Sequence, residues 1–312
     1  MTVSVIIPSY NPDADILATT VASIVNQSSR VNEIIIVDDC SPDEKSDSIY
    51  EEIHKKHNDA SIRILQLDKN SGSPIARNIG AQAAKSDWIA FCDEDDYWLP
   101  EKLKRQFFAI NKHALDVSLT GGYNIDEHGM RISSEWTELR TEDEMKKALF
   151  LRNFQHVNSN IVIRKDLFEQ IGGFDAAMVR CHDYELLFRL IDAKARMHSI
   201  PDELVVYRVH NKSTTMTQNI ELVEQHYSKY FEKILSVSPE LELFTNAYWA
   251  KTYNIIGTYY RRYDDLKRSR EYFWKSIRTK ISVKSVLNII LTLSSNQIFN
   301  YFAHRKWRYR TH

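Results

Sequence analysis

The sequence has little cysteine, and the cysteines it has are poorly placed for joint chemistry. There are three cysteines, Cys40, Cys92 and Cys181, which is an odd number, and no two of them form a C-x-x-C motif. That pattern argues against a disulfide framework and against a structural zinc site. The chain also lacks a basic segment followed by an apolar leader, because a β-branched run begins at Val3. We therefore expect a cytoplasmic protein.

Glycine is scarce, with eight residues among 312, and none lies in the loop after the first apolar run. That loop reads PSYNPDAD and is acidic. A nicotinamide-dependent oxidoreductase needs G-x-G-x-x-G at this point, which argues against that class. A nucleotidyltransferase would need a glycine-rich loop carrying Lys or Arg, so it stays only as an alternative.

No apolar run is long enough to cross a membrane, because Asn288 and the stretch SSNQ interrupt the last one. The chain has a net charge of -1, yet from Arg261 onward thirteen Lys and Arg stand against three Asp and Glu. Residues 303–310 mix cations with aromatic side chains, which suits peripheral contact with the inner face of an anionic membrane. The alternative is a basic end packed on an acidic body. No nucleic-acid recognition module is present, so we expect no nucleic-acid partner.

The chain does contain a regular alternation of strand and helix patterns. Amphipathic helical patterns separate four β-branched apolar runs, which lie at residues 3–8, 33–37, 62–67 and 88–91. Near-continuous apolar strands of this kind predict an α/β fold with a parallel sheet covered by helices on both faces.

The second half of the chain has a different pattern. A further strand is expected at residues 158–163, and the chain reads as helical from Asn219 almost to its end, with breaks at Gly257 and Asp264. We predict an α/β domain over residues 1–218 and a helical C-terminal extension over residues 219–312.

Acidic residues follow the ends of two predicted strands, where open α/β sheets bind ligands. Asp38 and Asp39 follow the second strand, and residues 93–96 (DEDD) follow the fourth. Crowded carboxylates repel one another unless a cation or hydrogen-bond donors gather them, and Mg²⁺ or Mn²⁺ prefers such oxygen ligands. Taken alone, residues 93–96 fit a solvated acidic turn before a helix equally well, and Asp38 fits a helix cap.

Seven motifs, taken together and in order, resemble those of the family 2 glycosyltransferases. They are VSVIIPSYN (residues 3–11), VDDCSPD (37–43), NSGSPIARNIGAQA (70–83), FCDEDDYW (91–98), GGFD (172–175), HDYELLFRL (182–190) and YRVHNKSTT (207–215). That family has the GT-A fold, a doubly wound, mostly parallel sheet. The resemblance implies an inverting transferase that uses Mn²⁺ or Mg²⁺ and moves a hexose from a nucleotide-diphospho-sugar, most commonly a UDP-sugar. The implied acceptor is a hydroxyl of a glycan or a polyprenyl-linked molecule in bacterial-type surface polysaccharide synthesis.

Carried over by position, the resemblance implies a donor site at the strand ends. Pro8 and Tyr10 would shape the base pocket, and Asp39 would accept a hydrogen bond from the base. The whole implied donor set is Pro8, Tyr10, Asp39, Arg77, Asp93 and Glu94, and the implied metal ligands are Asp95 and His210. Arg77 also fits a surface cation of a helix, paired with one of the carboxylates.

The resemblance further implies that Asp183 is the catalytic base, which takes the proton of the acceptor hydroxyl. Gly172, Gly173 and His182 would lie on the acceptor side. Asp183 also fits an ordinary helix cap, and the two glycines also fit an ordinary turn. The family usually has Glu where this chain has His182, which keeps open a noncatalytic sugar-nucleotide-binding protein.

Overall fold

The computed structural model describes residues 1–42, 45–138, 141–155, 157–209 and 220–293 of the chain. These residues form two compact units. The first consists of Met1–Met145 and Phe154–Val209, and the second of the described residues within Lys146–Asn153 and His210–His312. The predicted domain boundary at residue 218 lies outside the described residues.

The parallel half of the sheet follows the predicted alternation closely. Its four strands are adjacent in the order β3-β2-β1-β4, and every neighbouring pair is parallel. Every residue of β1, β2 and β4 is buried, which matches the prediction of a sheet covered on both faces. The elements are β1 (Val3–Ser9), α1 (Ala14–Val25), β2 (Glu33–Asp38), α2 (Lys45–Lys56), β3 (Ile62–Gln66), α3 (Ser73–Ala83) and β4 (Trp88–Phe91).

Beyond β4 the sheet becomes mixed. It continues in the order β8-β6-β9-β5, with β7 paired to β6; only the β6–β9 pair is parallel there. The α/β class is therefore confirmed, and the parallel strands are concentrated in the N-terminal half. The elements are β5 (Tyr97–Trp98), α4 (Lys102–His113), β6 (Val117–Ile125), β7 (Arg131–Glu135), α5 (Glu142–Phe150), β8 (Val162–Arg164), α6 (Lys165–Gln170), α7 (His182–Asp192) and β9 (Met197–Arg208).

The strand predicted at residues 158–163 is wrong in its first half. A 3₁₀ turn occupies Asn158–Asn160, and the strand begins only at Val162. The carbonyl of Ser159 accepts from the indole of Trp98 at 2.8 Å, and the carbonyl of Asn160 accepts from Gln106 Nε2 at 2.8 Å. Because side chains already use these carbonyls, the backbone has no need of a strand partner here.

The second unit is helical, as predicted. Its helices are α8 (Ile220–Val237), α9 (Thr245–Arg262), α10 (Leu266–Thr279) and α11 (Val283–Leu293). The break at Asp264 is confirmed, but the break at Gly257 is wrong, because α9 continues through it. A Cβ atom on Gly257 would lie 2.8 Å from the ring of Phe273, so the glycine lets α10 approach α9 closely.

Another glycine places the helix that carries Arg77. A Cβ atom on Gly80 would lie 2.5 Å from Ile6 and 3.0 Å from Val37, so α3 packs directly on β1 and β2. Within the described residues, no helix combines the length and the apolar composition that crossing a bilayer requires.

Candidate active site

The polar residues that follow the parallel strands lie at one edge of the sheet. Ser9 ends β1 and Asp38 ends β2, while residues 93–96 follow β4 after one intervening residue, Cys92. These three strands are neighbours and run in the same direction, so their carboxyl ends share an edge. The order and direction of the strands therefore bring these predicted donor-site residues to the same edge of the sheet.

Arg77 pairs with one of the carboxylates at this edge, as the alternative interpretation had it, but the residue is buried and not on the surface. Only 2% of the residue is exposed. One terminal nitrogen of the guanidinium donates to Asp93 Oδ1, and the other lies 3.0 Å from His182 Nε2. The guanidinium carbon also lies 5.6 Å from the centre of the Phe174 ring. Arg77 therefore connects the acidic loop after β4 to the start of α7.

His182 is the first residue of α7 and acts in this contact as a hydrogen-bond acceptor. Its Nε2 faces Arg77 Nη1 at 3.0 Å and Asn158 Nδ2 at 3.3 Å, both of them nitrogen donors. Burial, followed by the positive charge of Arg77, lowers the pKa of His182 to about 3. The imidazole is therefore neutral near pH 7, and it accepts a hydrogen bond where the family's Glu would also carry a charge.

Asp183 follows in the first turn of α7 and is partly buried. The N-terminal end of a helix favours a carboxylate there. The helix itself is held by Glu185, which is buried and accepts from Arg189 at 2.8 and 2.6 Å. Arg189 also donates to the carbonyl of Ile171 at 2.6 Å, so α7 is anchored to the turn before Gly172.

The glycine pair forms the turn after α6. Gly172 and Gly173 have φ angles of +85° and +66°, which favour glycine. A Cβ atom on Gly173 would lie 2.6 Å from Asn78 Oδ1. That side chain accepts from the Phe174 amide at 2.8 Å and donates to the Phe174 carbonyl at 2.7 Å. The structure thus supports the turn interpretation for Gly173, while the space around Gly172 is open.

Glu94 is turned back onto the end of β1. Its Oε2 accepts from Ser9 Oγ at 2.6 Å and from the amide of Tyr10 at 3.2 Å. Burial raises the pKa of Glu94 to about 7; the charges of Asp95 and Asp93 also raise it, while the hydrogen bonds from Ser9 and Tyr10 lower it. Glu94 therefore fastens the acidic loop to β1.

Asp96 is buried beneath the same loop. Its Oδ2 accepts from Ser159 Oγ at 2.5 Å, and that hydroxyl in turn accepts from the amide of Asp93 at 2.9 Å. Burial and the charges of Asp95 and Asp93 raise the pKa of Asp96 well above its ordinary value. Ser159 is a site residue that the sequence reasoning missed, because nothing in its local pattern marks it.

Asp39 and Asp38 both hold loops. The two carboxylate oxygens of Asp39 accept from the amides of Ser71 and Gly72, each at 2.7 Å, and so fix the loop that enters α3. Asp38 accepts from the amide of Ser41 at 3.0 Å and from its hydroxyl at 2.5 Å. The role of Asp39 toward a base stays a prediction. Each of its oxygens keeps a lone pair for a further donor.

Pro8 lies in buried β1, whereas Tyr10 follows that strand and is exposed. Among the described residues no group of three or more Asp, Glu, His or Cys is arranged to hold a metal ion. His210 lies outside the described residues. A cation of the Mg²⁺ type commonly takes one or two carboxylates and completes its shell with substrate phosphates and water. The carboxylate of Asp95, partly buried at the same edge, fits such a shared site.

Comparisons with known proteins identify relatives of this chain. An uncharacterized glycosyltransferase of Haemophilus influenzae is 24% identical over 95% of this chain and 97% of its own length. The Escherichia coli UDP-Glc:alpha-D-GlcNAc-diphosphoundecaprenol beta-1,3-glucosyltransferase WfaP is 28% identical over 72% of this chain and 83% of its own.

The fold also matches solved structures. The crystal structure of S. aureus TarS 1–349 in complex with UDP-GlcNAc has a TM-score of 0.55 and 16% identity, covering 96% of this chain and 92% of that one. The chain spans 55% of the longer TarS structure. The family model described as Glycosyl transferase family 2 matches residues 4–172 of this chain. The GT-A type of fold is confirmed, and the chain belongs to glycosyltransferase family 2.

Proposed function

We propose that this glycosyltransferase transfers a hexose, with inversion, from a nucleotide-diphospho-sugar to a hydroxyl of a glycan or polyprenyl-linked acceptor. Bacterial-type surface polysaccharide synthesis is the proposed setting. The observation that carries the proposal is the contact of buried Arg77 with both Asp93 and His182. This contact joins the loop after β4 to the first turn of α7, which bears Asp183, and so supports the proposal that both belong to one site.

Two similar proteins support the choice of donor and acceptor class. WfaP, by its name, uses UDP-Glc and a diphosphoundecaprenol-linked sugar. TarS was crystallised with UDP-GlcNAc and with UDP. We therefore take a UDP-sugar as the first donor to test and a lipid-linked saccharide as the first acceptor.

In the proposed mechanism Asp183 takes the proton of the acceptor hydroxyl as its oxygen attacks the anomeric carbon. The attack comes from the side opposite the leaving nucleotide diphosphate, which inverts the configuration. His182 is neutral because its pKa is about 3, so residue 182 adds no charge beside the base.

The leaving diphosphate gains negative charge as the bond breaks. Fixed positive charge at that edge stabilises the transition state, and Arg77 is held there in advance by its two partners. A bound Mn²⁺ or Mg²⁺, held by Asp95 and by the predicted ligand His210, would supply further charge to offset the diphosphate.

The test is nucleotide diphosphate release from a panel of UDP-, GDP- and dTDP-sugars, with Mn²⁺, Mg²⁺ or EDTA, in the presence of lipid-linked acceptors. Wild type is compared with Asp95→Ala. We expect EDTA and Asp95→Ala each to lower turnover at least about 10²-fold. EDTA removes the metal ion and Asp95→Ala removes its proposed ligand, so both take away positive charge that would offset the leaving diphosphate.

Asp59→Ala is the matched control, since Asp59 is exposed and lies before β3, at the opposite edge of the sheet. It should turn over like wild type. Turnover that persists in EDTA and in Asp95→Ala would overturn the metal-dependent mechanism. Donor binding without release under every condition would favour the noncatalytic alternative.

A further inference from the structure

Helix α11 (Val283–Leu293) is built with its polar side inward. Three of its buried positions are polar: Ser285, Asn288 and Thr292. Ile289 is the apolar exception. Its exposed positions include four large apolar side chains: Val283, Val286, Leu287 and Ile290. A helix on a water-facing surface has the opposite arrangement, with its apolar side against the core.

Hydrogen bonds fix this orientation. Asn254 on α9 donates to Ser285 Oγ at 2.8 Å and accepts from Asn288 Nδ2 at 2.9 Å. Arg261 donates to Asn288 Oδ1 at 3.1 Å, and Arg270 donates to the carbonyl of Thr292 at 2.7 Å. Turning the apolar side inward would leave these buried polar groups unpaired, which is unfavourable. The outward apolar side is therefore part of the fold.

The exposed apolar residues form one continuous stripe. Val283, Val286, Leu287 and Ile290 have the spacing i, i+3, i+4 and i+7, which places them on one side of a helix. Val283 is 78% exposed and Ile290 is 54% exposed, and Ile281, directly before the helix, is 76% exposed. A contiguous exposed apolar surface of this kind marks an interaction site.

The charge around the stripe selects the partner. Residues 266–293 contain seven Lys and Arg and one acidic residue, and residues 294–312 add four cations and no acidic residue. Lys280 and Lys284, next to the stripe, are both exposed. A second copy of the chain would bring the same positive charge to the interface, where like charges repel. An anionic lipid surface would instead attract it.

We infer that α11 is a membrane-docking helix, which lies in the surface of an anionic bilayer with Val283, Val286, Leu287 and Ile290 buried among the lipids. The eleven described residues of α11 are too few to span the hydrocarbon core, and the polar stretch SSNQ follows them in the sequence, so we expect the helix to lie along the surface. The cations of Lys280 and Lys284 reach the lipid headgroups while their stems cover apolar surface. This inference does not rest on the proposed chemistry, because its readout is vesicle binding.

The experiment is co-sedimentation of the full-length protein with vesicles of phosphatidylglycerol and phosphatidylcholine, or of phosphatidylcholine alone. The variant is Val286→Gln/Leu287→Gln/Ile290→Gln. Its matched control is Leu222→Gln/Val237→Gln/Leu243→Gln, which changes exposed apolar residues elsewhere in the helical unit. We expect wild type to bind the anionic vesicles, the first variant to bind at least about tenfold more weakly, and the control to bind like wild type.

A second variant, Lys280→Glu/Lys284→Glu, should weaken binding at low ionic strength and much less at high ionic strength. Equal binding by wild type and the triple α11 variant would overturn the inference. Loss of binding only when Arg305, Lys306, Arg308 and Arg310 are changed to Gln would assign docking to the tail and also overturn it. A wild-type oligomer that the α11 variant converts to monomer would identify a second copy as the occupant instead.

Discussion

At the scale of single residues, Arg77 connects the parts of the candidate site. Its guanidinium is a planar fork whose two terminal nitrogens face acceptors in different directions, Asp93 on one side and His182 on the other. Gly80, three residues further along α3, sets the distance between this helix and the sheet. Packing of the backbone thus places the cation, and the two acceptors orient it.

We predict that Arg77→Lys lowers kcat/KM for nucleotide diphosphate release by about 10- to 100-fold, because one ammonium cannot hold both acceptors in this geometry. The matched control is Arg63→Lys, since Arg63 also pairs with a carboxylate, that of Glu33, in the parallel half of the sheet. The control should lose less than about twofold. Thermal melts of both variants separate lost catalysis from lost folding. Equal kcat/KM in the two variants would contradict this role for Arg77.

The sequence singled out Arg77, Asp93 and His182 and allowed a pair between Arg77 and one of the carboxylates, but it did not predict which carboxylate, nor the contact with His182. Sixteen residues separate Arg77 from Asp93, and 105 separate it from His182. No local pattern records a contact over that distance. For the same reason Ser159 and Asn78, which hold the acidic loop and the Phe174 turn, were not predicted.

At the scale of elements, α4 carries a buried charge behind the acidic loop. Lys102 is fully buried, donates to Gln106 Oε1 at 2.8 Å, and lies with its Nζ 3.8 Å from the centre of the Trp98 ring. Burial lowers the pKa of Lys102 to about 7. The folded protein therefore binds this proton less tightly than the unfolded chain, whose lysine has an ordinary pKa.

From this we predict a pH-dependent stability. Between pH 7 and about 10 the unfolded state binds more protons at Lys102, so folding stability rises with pH, at up to about 1.4 kcal/mol per unit. Below pH 7 lysine is protonated in both states and the whole penalty of the buried charge is present. The free energy of unfolding of wild type, minus that of Lys102→Met, should therefore increase over this range.

Urea unfolding at pH 7 and pH 9.5 measures this difference. Lys112→Met is the matched control, because Lys112 lies on the same helix and is exposed. Its difference from wild type should not change with pH. A constant difference for Lys102→Met as well would show that Lys102 does not have the lowered pKa.

The elements themselves were predictable to different degrees. Strands β1, β2 and β4 are mainly apolar and are buried along their whole length, and that composition is visible in the sequence. Strand β7 reads RISSE and has no apolar period; in the part of the chain that the structure describes it pairs with β6 alone, and none of its residues is fully buried. Glycine has a low helix propensity, so Gly257 suggested a helix break. In the structure it lies within α9, where close packing against Phe273 leaves no room for a side chain.

At the scale of the whole molecule, the chain combines an α/β unit with a helical unit whose sequence from Arg261 onward is rich in Lys and Arg. The asymmetry of charge was visible in the sequence, whereas the orientation of α11 was not. Periodicity shows that a helix has an apolar side and a polar side. Only the hydrogen bonds of Asn254, Ser285 and Asn288 show which side is buried.

Turnover and donor binding in Asp183→Asn test whether Asp183 is the base for sugar transfer in this site. We expect kcat for transfer to fall at least about 10²-fold, while the donor dissociation constant, measured by calorimetry, changes less than about twofold. Asp59→Asn, the exposed control, should match wild type, and NMR of the wild-type product should show an inverted anomeric centre. Undiminished transfer by Asp183→Asn, or a product that retains the donor's anomeric configuration, would contradict the account.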